Sequence, residues 1–345
     1  MNFKTKRNIS SLCLLTLFIC SCKNDRLDIN VDEEAYKPTI VRLDERIWNI
    51  QEADFFKFTD SLKKADPIFF RIWIGQIVMD QYPNIPQNLV LDSLKHFYFQ
   101  NYPMRNLMKD VHEKFKDLKQ LDKVGAAVYS RFKYYFPNGK LPTLITLNTG
   151  TRANGAATYE KSISLSLEYF LGADHPLYKA LPDLPIYRYQ KYAPEYFGKR
   201  VADALFGFTF GDIGESPVFM QRMILNGMQQ YYIDAMLPQE HDSIRREYSE
   251  VQLKWLNENE KQIWEHFAGK KLFFSNDQEK TERYFKDGPF TQGQDIPDRA
   301  APRLGIWVGY KIVKKYMDTH QDVTLEMLLK EKDYSKIFTE SGYKP

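Results

Sequence analysis

The sequence predicts an α+β fold, mainly helical with a small β-sheet. Two patterns predict it. Apolar residues recur at the helical spacing i, i+3, i+4, i+7 over most of the chain, and the period changes to two only within residues 141–172. Composition sets the scale: 43% of residues are hydrophobic, with 24 Phe and 22 Tyr. That is enough for roughly 310 globular residues to close over a large core.

Each element has a local reason. TIVRLD (39–44) reads as a first strand, and Phe55, Phe58 and Leu62 as one face of a helix. Pro67 suits a first helical turn, and Phe70, Trp73, Ile74, Ile77 and Val78 follow in helical register. Helical patterns run through 88–101, 103–120 and 123–136 until FPNGKLP breaks them. LPTLITLNTG (141–150) and KSISLSLEYFLG (161–172) read as strands joined by a loop. In the second, Ile163, Leu165 and Leu167 alternate with Ser162, Ser164 and Ser166, the pattern of a half-buried strand. Helices are expected at 194–208, 219–237, 251–267, 304–317 and about 324–332, with a Gly/Pro-rich loop at 286–303. The 219–237 segment is apolar nearly all round and is expected to be buried.

The N-terminus carries Lys4, Lys6 and Arg7, then an apolar run from Ile9 to Ile19, and no acid before Asp25. This is the signal-peptide pattern. The run is too short for a membrane span of about 20 residues. No alanine precedes Ala35, so an A-x-A site is missing. Ile19-Cys20-Ser21-Cys22 instead resembles the lipobox of bacterial lipoproteins, with Cys22 as the lipidated residue. Residues 1–21 then read as a lipoprotein signal peptide, 22–37 as a flexible tether and 38–345 as a single globular α+β domain. All three cysteines, Cys13, Cys20 and Cys22, lie in this stretch. A mature chain starting at Cys22 holds no intrachain disulfide, and its stability must come from packing. The leader holds three of the 48 basic residues and none of the 45 acidic ones, so the mature chain carries 45 of each. That balance gives no basic surface for nucleic acid.

Motifs with catalytic chemistry are scarce. The six histidines include no pair four residues apart; His112-Glu113 opens like H-E-x-x-H, but Lys116 stands where the second imidazole belongs. A G-x-S-x-G elbow is absent. Glu260 lies on the apolar side of helix 251–267, where a carboxylate either works or pairs with a neighbour. Asp298 and Arg303 in the loop before helix 304–317 are candidates for binding a carboxylate or a partner. Trp307 and Tyr310 on that helix are further candidate binding positions. Asn226-Gly227 inside the buried helix 219–237 has a local cost, explained either by a site or by a backbone hydrogen bond and close helix packing.

SLEYFLGADHPLY, YRYQKYAPEYF, NGMQQYYIDAMLP, WLNENEKQIWEHF, DGPFTQGQ and PRLGIWVGYKIVKKYM together resemble the gliding-motility lipoprotein B family of the Bacteroidota. The resemblance spans nearly the whole chain. It implies a cell-envelope lipoprotein tied to gliding motility and the associated protein-secretion machinery. It also implies a distant similarity to zincin-type zinc proteases. In those, a Glu of an E-G-x-A-like motif is the third ligand; here the motif falls on Asn226-Gly227-Met228-Gln229, and the first motif falls near VADALFG, which has no histidine. The expectation is therefore a zincin-like scaffold without metal, cofactor or enzymatic activity. It is expected to be anchored by lipid, most simply at the outer membrane facing the periplasm, with motility or secretion proteins as partners. Two other readings stay open: an envelope hydrolase using Glu260, Asp203 or Glu215, and a substrate-binding lipoprotein with an aromatic cleft.

Overall fold

The computed structural model describes residues 26–27, 29–152, 155–211, 216–288 and 300–345. The leader, Cys22, Glu215 and Asp298 lie outside the described residues. Among the described residues four strands form one sheet in the order β1-β2-β4-β3. They are β1 (Ile40–Arg42), β2 (Thr143–Leu147), β3 (Ala156–Thr158) and β4 (Ser162–Ser166). β1 and β4 flank β2 in parallel, with Val41 and Ser164 opposite Ile145, and β3 closes the far edge antiparallel to β4.

Between β1 and β2 run α1 (Leu43–Asn49), α2 (Phe55–Ala65), α3 (Pro67–Ile74), α4 (Val90–Phe99), α5 (Tyr102–Lys114) and α6 (Lys119–Tyr135). After β4 come two short helices, α7 (Pro176–Ala180) and α8 (Ile186–Tyr189), and two long ones, α9 (Phe197–Phe210) and α10 (Phe219–Met236). The chain continues through α11 (Asp242–Arg246), α12 (Glu250–Glu258), α13 (Glu260–Gly269) and α14 (Gln278–Thr281). It finishes with α15 (Leu304–Thr319), α16 (Leu325–Lys330) and α17 (Tyr334–Glu340). The mainly helical α+β class expected from periodicity is the class observed.

Caps set several helix starts. Asp66 accepts from Phe69 N at 2.9 Å with Pro67 in the first turn of α3, and Asn101 accepts from Met104 N at 3.0 Å in α5. Ser249 and Gln252 form a capping box at α12. The structure corrects the single helix expected at 251–267. It breaks at Asn259, whose side-chain amide turns back to Trp255 O at 2.7 Å.

The structure also corrects the half-buried strand. All five residues of β4 are buried: β2 and β3 cover its edges, α9 packs against it, and Tyr159, itself against Phe69 of α3, covers the serine side. Ser164 Oγ meets Tyr159 OH at 3.1 Å, so the serine side faces the interior rather than water. β3 forms within the loop expected between the two strands, because three residues are too few for periodicity to register.

One apolar cluster runs from Leu27 to Ile337. Its centre is the crossing of α10 and α15, where glycine meets glycine. A Cβ on Gly227 would stand 2.3 Å from Gly309 O, and one on Gly309 1.9 Å from Met223 O. No larger residue fits either place without moving backbone. At the other end of the chain, Arg26 and Leu27 belong to the stretch read as a tether, yet both are docked. Arg26 donates to Met317 O at 2.7 Å and Val323 O at 2.5 Å, and Leu27 is buried.

Candidate functional site

A cleft of about 680 Å³ opens where β3 meets α9. Gly155, Ala156, Ala157 and Thr158 form one wall, Tyr169, Leu181, Leu184 and Tyr192 add apolar surface, and Arg200 and Asp203 project from α9. Glu247 and Asp287 complete it.

Among the described residues the β3 wall is the open outer edge of the sheet. Tyr159 N donates to Ser162 O at 2.8 Å and Ser166 N to Gly155 O at 3.0 Å. Bonded pairs with β4 therefore fall on 155, 157 and 159, and Ala156 and Thr158 turn their backbone N–H and C=O away from the sheet. Small side chains at 155–157 let another backbone come close.

Behind this wall lies a carboxylate that periodicity did not reveal. Glu168 is fully buried and accepts from Thr149 N at 2.7 Å, Thr149 Oγ1 at 2.5 Å and Thr151 N at 3.2 Å. Burial raises its pKa above the ordinary carboxylate value, against these donors. Gly150 and Thr151 both have positive φ, 64° and 63°, and Glu168 holds that turn in place at the head of the loop leading to β3.

The opposite wall is an ion network drawn from five parts of the chain. Arg200 meets Glu247 at 2.5 Å, Lys191 pairs with Asp287, and Lys199 with Asp203. Arg303 lies 3.9 Å from Glu247 and 3.6 Å from Asp287. Burial pushes the Glu247 carboxyl up, but Arg200, Lys199, Lys191 and Arg303 together outweigh it and hold the group well below the usual range. Burial pulls the Lys191 ammonium below its ordinary value, and Arg303 adds to that. Asp203, Glu247 and Asp287 each already sit on a cation. Arg188 and Asp183 are the exposed charges of the cleft.

The positions singled out in the sequence divide into two groups. Arg303 belongs to the network. It adopts a left-handed conformation at the start of α15 (φ 54°), donates to Arg246 O and Glu247 O at 2.8 Å each, and stacks 4.4 Å above the Tyr248 ring. Tyr310 is buried beneath the Arg246 guanidinium at 3.6 Å, and Trp307 is buried against Tyr248. These residues support the wall from behind and do not line the cleft.

Asn226, Gly227 and Glu260 have structural partners. The Asn226 side-chain amide donates to Arg222 O at 2.8 Å, Gly227 makes the helix crossing, and Glu260 accepts from Tyr343 OH at 2.5 Å and meets Lys311 at 3.1 Å. Asp203, named among possible hydrolytic carboxylates, does line the cleft and also takes a 3.3 Å contact from Gln229. Among the described residues no three His, Cys, Asp or Glu side chains cluster so as to hold a metal ion. Glu247, Arg200, Lys191, Asp287 and β3 carried no local signal. Each is an ordinary polar or small residue until packing brings it to the cleft.

Comparison with curated proteins and with solved structures gives no match. The sequence profile of the family described as "Gliding motility protein GldB" matches residues 24–345, nearly the entire chain. The chain belongs to the gliding motility protein GldB family.

Proposed function

We propose that this protein is a lipid-anchored, non-enzymatic cell-envelope component that supports gliding motility and the associated protein-secretion machinery by holding an extended polypeptide segment in the β3 cleft. The anchor is Cys22, and the site faces the periplasm at the outer membrane. The observation that carries the binding role is the open edge. Strand addition needs outward N–H and C=O groups beside a groove with pockets for alternate side chains, and Ala156 and Thr158 offer the first beside Tyr169, Leu181, Leu184 and Tyr192. The non-enzymatic role is supported by the opposite wall. Asp203, Glu247 and Asp287 are each engaged by a cation, which suits a rigid wall better than proton transfer.

The zincin resemblance enters the same proposal as a metal-free scaffold. α9 and α10, the helices onto which its two motifs fall, touch through Asp203 and Gln229, and Lys199 brings a positive charge to that contact. Stoichiometric zinc in the purified protein, or a chelator-sensitive peptidase activity, would overturn this part.

The binding role is tested by crosslinked pull-down from intact envelopes with wild type, Thr158→Pro and Arg188→Glu. Proline removes one outward N–H and is tolerated on an edge strand. Recovery of motility or secretion components with wild type, and their loss with Thr158→Pro, is the expected result. Equal recovery from wild type and Thr158→Pro would rule out the edge.

A further inference from the structure

We propose that the C-terminal end of α15 is the face this protein turns to the bilayer, and that α15 acts as a strut holding the β3 cleft on the far side. This deepens the lipid-anchor reading of Cys22 and rests on it.

Arg26 holds the chain to the end of α15. Its guanidinium donates to Met317 O at 2.7 Å, His320 O at 3.3 Å and Val323 O at 2.5 Å. Met317 is among the last residues of α15, where carbonyls lack intrahelical partners and the helix dipole is negative, so a cation is held well there. The next residue, Leu27, is 6% exposed and belongs to the core cluster. Two adjacent residues, one charged and one apolar, thus fix where the chain joins the domain.

Chain length then limits how far this point stands from the membrane. Four residue steps separate Cys22 from Arg26 and span at most about 14 Å when fully extended. A tether free as far as residue 37 would span about 50 Å and impose no orientation. With Arg26 clamped, the end of α15 stays within the short reach.

α15 also measures the separation. Its 16 residues rise about 1.5 Å each, so its ends lie roughly 24 Å apart. At its start Arg303 contacts Glu247 and Asp287, which line the cleft. The short leash keeps the clamped end near the bilayer, and with α15 upright in the proposed orientation the cleft end stands off from it. Around the clamped end Lys315, Asp318, Thr319, Gln321 and Asp322 are exposed, a polar surface that would lie at the bilayer surface rather than insert.

The test uses the lipidated full-length protein in phospholipid vesicles that contain a nitroxide-headgroup lipid. Both other cysteines precede Cys22, whose sulfur carries lipid, so an introduced cysteine is the one labelled. Gln321→Cys and Ile186→Cys are labelled with the same fluorophore; Ile186 is 61% exposed on α8, beside the cleft. The expected result is several-fold stronger quenching at 321 than at 186, with the difference shrinking when Arg26→Ala is added. Equal quenching, or stronger quenching at 186, overturns the orientation. A difference that Arg26→Ala leaves unchanged overturns the clamp. Protein that does not float with the vesicles overturns the lipid anchor itself, which the quenching ratio does not address.

Discussion

Replacing Gly309 by alanine places a methyl group 1.9 Å from Met223 O, on backbone that cannot rotate away. An ordinary C···O contact is about 3.3 Å, so the two helices must part by roughly 1.4 Å at their crossing. A radial gap of about 1 Å already forfeits a quarter to a half of each dispersion contact. The loss falls on a fully buried seam that includes Met223, Ile224 and Met228 of α10 and Val308, Ile312 and Val313 of α15. Overpacking costs about 1–3 kcal/mol, and a backbone-on-backbone clash belongs at the top of that range or above it. It exceeds the gain of about 1 kcal/mol that alanine brings to a helix interior. A net loss of about 2 kcal/mol or more lowers Tm by at least roughly 4–8 °C at about 2–4 °C per kcal/mol. The assay is a thermal melt followed by circular dichroism. The control is Gly269→Ala, at a position with nothing within 4 Å, expected to be neutral or slightly stabilising. Gly309→Ala melting at or above wild type would refute the reasoning. It would mean that the helices separate without cost and that the glycine pair does not set their spacing.

Three further outcomes follow from the buried charges. Asp234→Ala strands Arg246, which it holds at 2.7 and 2.8 Å, and should lower stability by about 3–5 kcal/mol in denaturant titrations; the double change Asp234→Leu with Arg246→Met should recover much of it. Glu247 has a folded pKa below its unfolded value of 4.5, so its contribution is complete above about pH 4.5 and is lost as pH falls below it. Glu247→Gln should therefore melt well below wild type at pH 7, with the gap narrowing in acid; a gap constant from pH 7 to pH 3 would contradict the network. Glu168 has the opposite sign. Its folded pKa is raised above 4.5, so the folded state holds its proton more tightly and wild type loses stability as pH rises past 4.5. Melts of Glu168→Gln across that range should shift in the variant's favour with rising pH, and a shift the other way would show that the donors from Thr149 and Thr151 outweigh burial.

Much of the fold was legible because helical and strand periods report burial one element at a time. The stripe Phe70, Trp73, Ile74, Ile77 and Val78 needed no partner to be read, nor did the run from Leu304 to Met317. Reading failed where the determining contact lay outside the element. Asn259 splits a continuous stripe by bonding to a backbone carbonyl, and serines that alternate like a wet face are interior because Tyr159 and α3 cover that face. Arg303, a candidate for binding a carboxylate or a partner, meets two carbonyls and two carboxylates of its own chain, none near it in sequence and all brought there by packing.

The sequence by itself determined the α+β class, the near balance of charge and the family, because these depend on composition and on the local order of residues. Tertiary structure alone decided the cleft. Its charged wall joins positions 191, 199, 200, 203, 247, 287 and 303, and its open wall is a three-residue strand. Charges meet only after helices pack, and packing is set by apolar burial that ignores which charge each helix carries. The same holds where the chain enters the domain at Arg26. Nothing in the order of residues 22–37 shows that Arg26 finds the end of a helix some 290 positions away, but the unpaired carbonyls there explain why it does.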